Sequence, residues 1–361
     1  MSRPALAEVD LSALRHNYDL ACRLSAGGKA LPIVKANAYG HGATAVAQAL
    51  EPLTPAFGVA CIEEALELRD SGISKPILLL EGAFSSDEIA LAADQDFWLM
   101  VGSQHQAAAI LDSAPARPIR VWLKIDTGMH RLGVDPQIAK ALYQTLMQSP
   151  RVAEGIVIAT HFACADELDN PFTAEQIRRF DEGTQGIDAP RSLANSAGLL
   201  GWPQARGEWN RPGFMLYGGS PFASSHPEGD RLLPVMTLKS AIISIGQVPV
   251  GESVGYSSIW TAQRPSRIAT VAIGYGDGYP RNTPNGTPVL INGKRAPLAG
   301  RVSMDMITVD VTDLPDAAIG DEVTLWGRGL PLNEVATHAG TIGYELITRM
   351  PLRTPRKYLD Q

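Results

Sequence analysis

Apolar residues in the first two-thirds of the chain come in short runs, and between the runs they recur at helical spacing. The runs at 30–35 (ALPIVK), 57–62 (FGVACI), 76–81 (PILLLE), 97–101 (FWLMV), 119–126 (IRVWLKID), 155–161 (GIVIATH), 191–195 (RSLAN) and 214–217 (FMLY) predict strands. Helices are predicted between most of them, at 11–25, 43–51, 62–71, 85–95, 103–113, 136–148 and 172–185. The runs around Val34, Leu78 and Val121 show little polar alternation, as strands do when both faces of a parallel sheet are covered. Some eight strands alternating with helices predict a (β/α)8 TIM-type barrel, with an open doubly wound sheet as the alternative. The pattern changes near residue 230. From there short β-type runs are predicted at 236–245, 267–273, 288–291, 306–311 and 322–326, separated by turns such as TPNGTP and INGKR. The expected organisation is a barrel over 1–228, whose first few residues can pack with the second domain, and a mainly β domain over 229–361.

Composition narrows the class of protein. Hydrophobic residues make up 45% and charged residues 19%, a globular composition and not a disordered one. A net charge of −7 disfavours nucleic acid or an anionic membrane as partner. No run of eighteen apolar residues offers a transmembrane helix. The charged N-terminus, MSRPALAEVDLSALRHNYDL, lacks the apolar core of a secretory signal. Cys22, Cys61 and Cys164 are far apart and odd in number. They match neither a metal knuckle nor a disulfide framework, so a reducing, cytoplasmic location without a bound metal is expected. The segment GYGDGY at 274–279 is no dinucleotide fingerprint, because Tyr279 stands where the third glycine belongs.

In a parallel barrel the C-terminal strand ends face the active site. Polar residues at those ends are Lys35, Lys124 with Asp126, His161, Asn195 with Ser196, and Arg211. A lysine on a barrel strand can condense with an aldehyde when burial and neighbouring cations lower its pKa. NSAGLL at 195–200 predicts a helix start with Ser196 beside it, and such amides bind anions. RPGFMLYGGSP at 211–221 adds backbone amides around Gly213. An aldehyde-accepting lysine and a phosphate cradle together point to pyridoxal 5′-phosphate. Each glycine-rich piece taken alone is better read as ordinary turn chemistry.

VKANAYGHG at 34–42 resembles the cofactor-attachment motif of the bacterial alanine racemase family. KIDTGMHRLG at 124–133, THFACAD at 160–166, NSAG at 195–198, RPGFMLYG at 211–218, VGYSS at 254–258, IGYGDGYPR at 273–281 and GRVSMDM at 300–306 resemble further family blocks in the same order. The resemblance covers nearly the whole chain. It implies a barrel followed by a β domain, pyridoxal 5′-phosphate as cofactor, alanine as substrate and a homodimer with shared active sites.

Residue roles follow from the resemblance. Lys35 would form the internal aldimine and serve as one base at the substrate Cα. Tyr256, reaching in from the partner subunit, would be the other. Racemisation removes a proton from one face and returns one to the other, so a base on each face avoids turning a planar intermediate over. Arg131 would favour the phenolate of Tyr256 and contact the substrate carboxylate, aided by the backbone amide of Met304. Arg211 would face the pyridine nitrogen with His161 beside it. Tyr39, Asn195, Ser196, Gly213, Phe214 and Tyr344 would hold the cofactor, mostly at its phosphate. Tyr275 would line the substrate entrance, and Lys124 matches a lysine often carbamylated in the family. Two departures stand out: Phe214 where an aliphatic residue is commoner, and Ser257 where glycine is frequent.

Other cofactor-dependent functions use the same two-domain plan. An amino acid decarboxylase of this fold places a carboxylate at the pyridine nitrogen, where Arg211 is expected here. A non-enzymatic cofactor carrier would be a lone barrel without a β domain or Tyr256.

Overall fold

The computed structural model describes residues 3–360. The chain opens with β1 (Leu6–Asp10), followed by the helix Leu11–Leu24. Asp10 caps that helix, its carboxylate accepting from the Ser12 and Ala13 amides at 3.0 and 2.9 Å. The barrel strands come next: β2 (Lys29–Ala30), β3 (Phe57–Val59), β4 (Ile77–Leu79), β5 (Phe97–Val101), β6 (Val121–Lys124), β7 (Val157–Ala159), β8 (Arg191–Ser192) and β9 (Trp209–Asn210). β3 to β8 form a six-stranded parallel sheet in chain order. β2 pairs with β9 in parallel and closes the ring. On one side the closure runs through the Ile33–Gly58 bridge. On the other, Arg211 N donates to Ala194 O at 2.9 Å.

All residues of β3, β4, β5 and β6 are buried, as expected of strands covered by helices outside and packed side chains inside. Near the strand starts Trp98, Trp122 and Trp209 pack against one another at 5.4–6.4 Å between ring centroids. Lys29 lies 4.7 Å over the Trp209 ring.

The second domain is built on the long strand β10 (Met236–Val248). β11 (Ser253–Val254) and β12 (Trp260–Thr261) form a hairpin beside it in sequence. β13 (Ser266–Val271), β14 (Pro288–Ile291), β15 (Lys294–Pro297), β16 (Ile307–Asp310), β17 (Glu322–Trp326) and β18 (Arg356–Leu359) complete the strands. β1 lies between β10 and β18, so the chain's N-terminal strand belongs to this sheet and not to the barrel. Helices Leu332–His338 and Gly343–Thr348 follow β17.

Two strand expectations need correction. The FMLY segment is a 3₁₀ turn, Phe214–Tyr217, and the eighth barrel strand is Trp209–Asn210. Pro212 has no amide hydrogen for a further ladder bond, and Gly213 and Gly218 bracket a tight turn. In ALPIVK regular strand is confined to Ala30 and the Ile33 bridge, although Leu31 N to Asn210 O, Ile33 N to Pro212 O and Val34 N to Gly58 O carry the parallel bonding past Pro32. The helices fall within a few residues of expectation. β1, β11, β12, β15, β18 and the two helices after β17 were not read from the sequence, being short or polar.

Candidate active site

A cavity of about 650 Å³ opens at the C-terminal mouth of the barrel. Lys35, Lys124, Arg131, His161, Asn195, Ser196 and Arg211 line it from the barrel side, while Tyr344 and Thr348 line it from the helix Gly343–Thr348. The strand-end register read from the sequence is therefore the register that converges in space.

Lys35 stands where the chain leaves the barrel. The last ladder bond joins Val34 N to Gly58 O at 2.8 Å. Beyond it Ala36, Asn37, Ala38 and Tyr39 all have φ between 50° and 54°, one turn of left-handed helix. Such a turn costs L-residues about 1–2 kcal/mol each, so the surroundings must impose it. Glu64 accepts from the Ala36 and Ala60 amides at 2.7 and 2.8 Å. Asn37 accepts from the Ala43 amide at 2.7 Å. The Nδ1 of His41 lies 3.1 Å from the Ala38 carbonyl and 2.9 Å from that of Tyr39, which makes Nδ1 the protonated nitrogen. Burial lowers the His41 pKa to about 4, so the ring is neutral. Tyr217 stacks on both Tyr39 and His41, at 4.8 and 4.6 Å. The result is that Lys35 and Tyr39 share one cavity.

Arg211 is buried at the cavity floor. One terminal nitrogen donates to the Ser192 carbonyl and hydroxyl at 2.7 and 2.6 Å. The other donates to the carbonyls of Thr160 and Leu193 at 2.6 and 3.2 Å, with His161 Nδ1 at 3.5 Å. Among the described residues its Nε–H alone has no acceptor, and Arg211 lines the cavity. Burial lowers its pKa to about 10, which still leaves it charged at neutral pH. Burial, then the Arg211 and Lys124 cations, hold the His161 pKa well below its ordinary value. Lys124, 8% exposed, is brought down to about 8 by burial and then by the Arg211 and Arg131 cations. The cavity is thus strongly cationic and suited to anions.

The wall toward Phe214 is made of donors. Ser196 Oγ accepts from the Gly213 and Met215 amides at 2.9 and 3.3 Å, leaving its own proton to donate outward. The hydroxyls of Tyr39 and Tyr344 have no hydrogen-bond partner among the described residues, and both side chains line the cavity. Burial raises the Tyr39 pKa to about 12 and that of Tyr344 further, so both stay protonated donors. A Cβ on Gly213 would lie 2.7 Å from the Tyr39 hydroxyl, so a larger residue here would push that hydroxyl out of the donor wall. Phe214 stacks face to face on Tyr344 at 3.8 Å. A small dianion such as phosphate fits this donor set.

Tyr256, Tyr275 and Met304 do not line the cavity of their own chain. They lie on the β domain, 68%, 38% and 51% exposed. Tyr256 is at the tip of the β11–β12 hairpin, where Ser257 has φ 61°, a conformation glycine adopts more readily. The turn bearing Tyr275 is bonded to that bearing Met304, with Tyr275 N to Ser303 O at 3.0 Å and Gly276 N to Met304 O at 2.9 Å.

Several lining residues were not singled out in the sequence: Ile33, Leu80, Glu81, Met100, Gln106, Leu132, Thr160 and Thr348. Strand-end position could have found Leu80, Glu81, Met100 and Thr160, which end the predicted runs. Gln106 carries no such signal. Its amide joins the Glu81 carbonyl at 2.7 Å to the Gly102 amide at 2.9 Å, a contact made only by folding.

Barrel, β domain and lysine-centred cavity define a two-domain barrel enzyme. Residues 9–221 match the alanine racemase N-terminal domain and residues 235–358 the alanine racemase C-terminal domain. The chain is similar to the alanine racemase of Pseudomonas taetrolens, 53% identical over 359 residues, which span 99% of this chain and 100% of that protein. The solved biosynthetic alanine racemase from Pseudomonas aeruginosa is 50% identical, with a TM-score of 0.95 over 99% of each chain. The alanine racemase from Bartonella henselae, solved with covalently bound pyridoxal phosphate, is 32% identical with a TM-score of 0.88 over 99% of each chain. The chain belongs to the alanine racemase family, and its activity is the interconversion of L- and D-alanine.

Proposed function

We propose that this chain racemises alanine by proton exchange between two bases, with pyridoxal 5′-phosphate held covalently by Lys35 and the second base, Tyr256, supplied by the partner subunit of a cytoplasmic homodimer. One observation carries this reading: Lys35, the free Nε–H of Arg211 and the donor wall of Tyr39, Ser196 and Tyr344 share a single cavity, while Tyr256 stands exposed on the β domain and does not line it.

Pyridoxal phosphate, when bound, supplies an electron-withdrawing ring that acidifies the Cα–H bond of the substrate. The protein does the rest. Tyr39, Ser196, Tyr344 and the Phe214 amide would hold the phosphate, Gly213 giving its amide to Ser196 Oγ and leaving room beside Tyr39, and Asn195 caps the helix behind them through Gly198 N at 2.9 Å. Arg211 would hold the ring nitrogen through its free Nε–H and, as an arginine, would not give up that proton. The ring's electron withdrawal would then be moderated, which would favour return of the proton at Cα over protonation elsewhere. Neutral His161 accepts from Arg211 without adding charge. Arg131 and the Met304 amide of the partner subunit orient the substrate carboxylate. Lys35 exchanges the proton on one face of Cα and Tyr256 on the other, and Tyr275 narrows the entrance to small amino acids.

The overall test is turnover by the purified chain loaded with pyridoxal phosphate, followed by chiral chromatography and carbon dioxide assay. D-alanine from L-alanine without carbon dioxide release supports the reading. Decarboxylation as the main reaction would sink it.

Arg211→Glu is expected to slow racemisation by about 10²-fold or more, the usual scale for one oriented donor in a closed site. The carboxyl would meet the Ser192, Leu193 and Thr160 carbonyls, and these acceptors with burial would keep it protonated. It could then share its proton with the ring nitrogen, and pyruvate from alanine should rise as transamination competes. Unchanged pyruvate formation would show that Arg211 does not face the ring.

Lys124 would become a carbamate. With a pKa of about 8 its amine is partly neutral in mildly alkaline solution and can add carbon dioxide, releasing a proton. The product is an anion beside the Arg131 and Arg211 cations. In ¹³C-bicarbonate, a carbamate NMR signal should strengthen as pH rises through about 8 and be missing in Lys124→Met. The same signal in that variant would assign it elsewhere.

A further inference from the structure

We propose that Arg356 and Tyr358, on the last strand of the β domain, are positioning residues that clasp the left-handed turn and so set the cofactor lysine. The proposal rests on the reading of Lys35 given above.

All five N–H donors of Arg356 end on backbone carbonyls. Its Nε and one terminal nitrogen donate to Gly40 O at 3.1 and 3.0 Å. The remaining bonds reach Met350, Pro351 and Thr354 at 2.7–2.9 Å. No carboxylate among the described residues forms an ion pair with it, and burial lowers its pKa. A half-buried guanidinium spent wholly on carbonyls does not serve surface charge. It ties the end of the left-handed turn to the segment that follows the helix bearing Tyr344. Tyr358 adds a second tie, its hydroxyl donating to His41 O at 3.1 Å.

The glycines of the attachment motif answer to these contacts. Gly40 has φ 79°, and a Cβ there would lie 1.8 Å from Ile347 O. Gly42 has φ 100°, and its Cβ would lie 2.0 Å from the Tyr358 hydroxyl. Both positions must be bare for the β domain to press on the turn. The barrel supplies Glu64 and Asn37 at the start of the turn, and β18 supplies the hold at its end. Four consecutive residues at positive φ revert toward right-handed space when one end is released. That movement would carry Lys35 and Tyr39 out of register with the donor wall.

The test is hydrogen exchange by mass spectrometry on the holoenzyme, with cofactor release followed by dialysis. Arg356→Met should speed exchange in the 36–42 peptide about tenfold, the order expected for loss of a charge-assisted hydrogen bond. Pyridoxal phosphate should leave faster by a similar factor. Barrel peptides containing Leu99 and Trp122 should be unaffected. Tyr358→Phe keeps the strand and should show the same pattern more weakly, which preserves the test if the arginine variant fails to fold. Unchanged exchange at 36–42 in the folded variants would overturn the clasp. So would a uniform rise across barrel and turn, the signature of general destabilisation. Retention of cofactor by Lys35→Ala, as in the unaltered protein, would instead refute the attachment reading and leave the exchange result standing.

Discussion

Lys35→Ala is expected to lose racemisation, by at least about 10⁴-fold, because in the proposed roles one substitution removes both a base and the group that holds the cofactor. The structure raises one challenge to this expectation. Lys124 lines the same cavity, and with a pKa lowered to about 8 by burial it too can present a free amine. It is nevertheless poorly placed to substitute. Lys124 ends β6, whereas Lys35 begins the left-handed turn that also carries Tyr39 to the donor wall. The attachment amine must sit at a defined distance from the phosphate site, and only Lys35 is tied to it through Tyr39. Borohydride reduction and peptide mapping decide the matter. The unaltered protein should yield a labelled peptide containing Lys35, and the variant none. A labelled Lys124 peptide in an active Lys35→Ala enzyme would reverse the assignment.

The second large effect belongs to Tyr256. Tyr256→Ala is expected to slow racemisation by about 10²–10⁴-fold, the range for loss of a general base. The loss should be directional. Tyr256 is assigned the α-proton of L-alanine and Lys35 that of D-alanine. In D₂O the variant should still exchange the α-proton of D-alanine and scarcely that of L-alanine. Equal washout from both enantiomers would argue for one mobile base. The position of Tyr256 adds a test of assembly. It is exposed and does not line its own chain's cavity, so the proposal assigns its working site to the partner. Mixing inactive Lys35→Ala and Tyr256→Ala chains should restore activity, since a mixed dimer has one site with both residues intact. Confirmed subunit exchange without recovery would place the tyrosine in its own chain's site.

Much of the barrel was legible because its strands are uniformly apolar and its helices amphipathic, two periods that differ clearly. The cavity lining was legible through strand ends: Lys35, Lys124, His161 and Asn195 finish runs that the apolar pattern marks, whereas Arg211 follows a strand that the pattern does not mark. The last barrel strand was not. Trp209–Asn210 has two residues, too few for periodicity, while the more apolar FMLY segment beside it turns on glycines at both ends.

Local chemistry in the chain settles the alternation of strand and helix, the change to β structure near residue 230, and the order of the polar strand ends. These depend on neighbours a few residues apart. Long-range contact settles the remainder. The Lys35 turn is left-handed although three of its four residues, Ala36, Ala38 and Tyr39, have no intrinsic preference for that hand. Glu64, His41, Arg356 and Tyr358 hold it there, and Arg356 lies 316 residues from Gly40. The same holds for the pKa of Lys124, which falls because folding gathers Arg211 and Arg131 around it in a buried place. Strain and electrostatic coupling are properties of groups brought together in space, and spacing along the chain does not encode them.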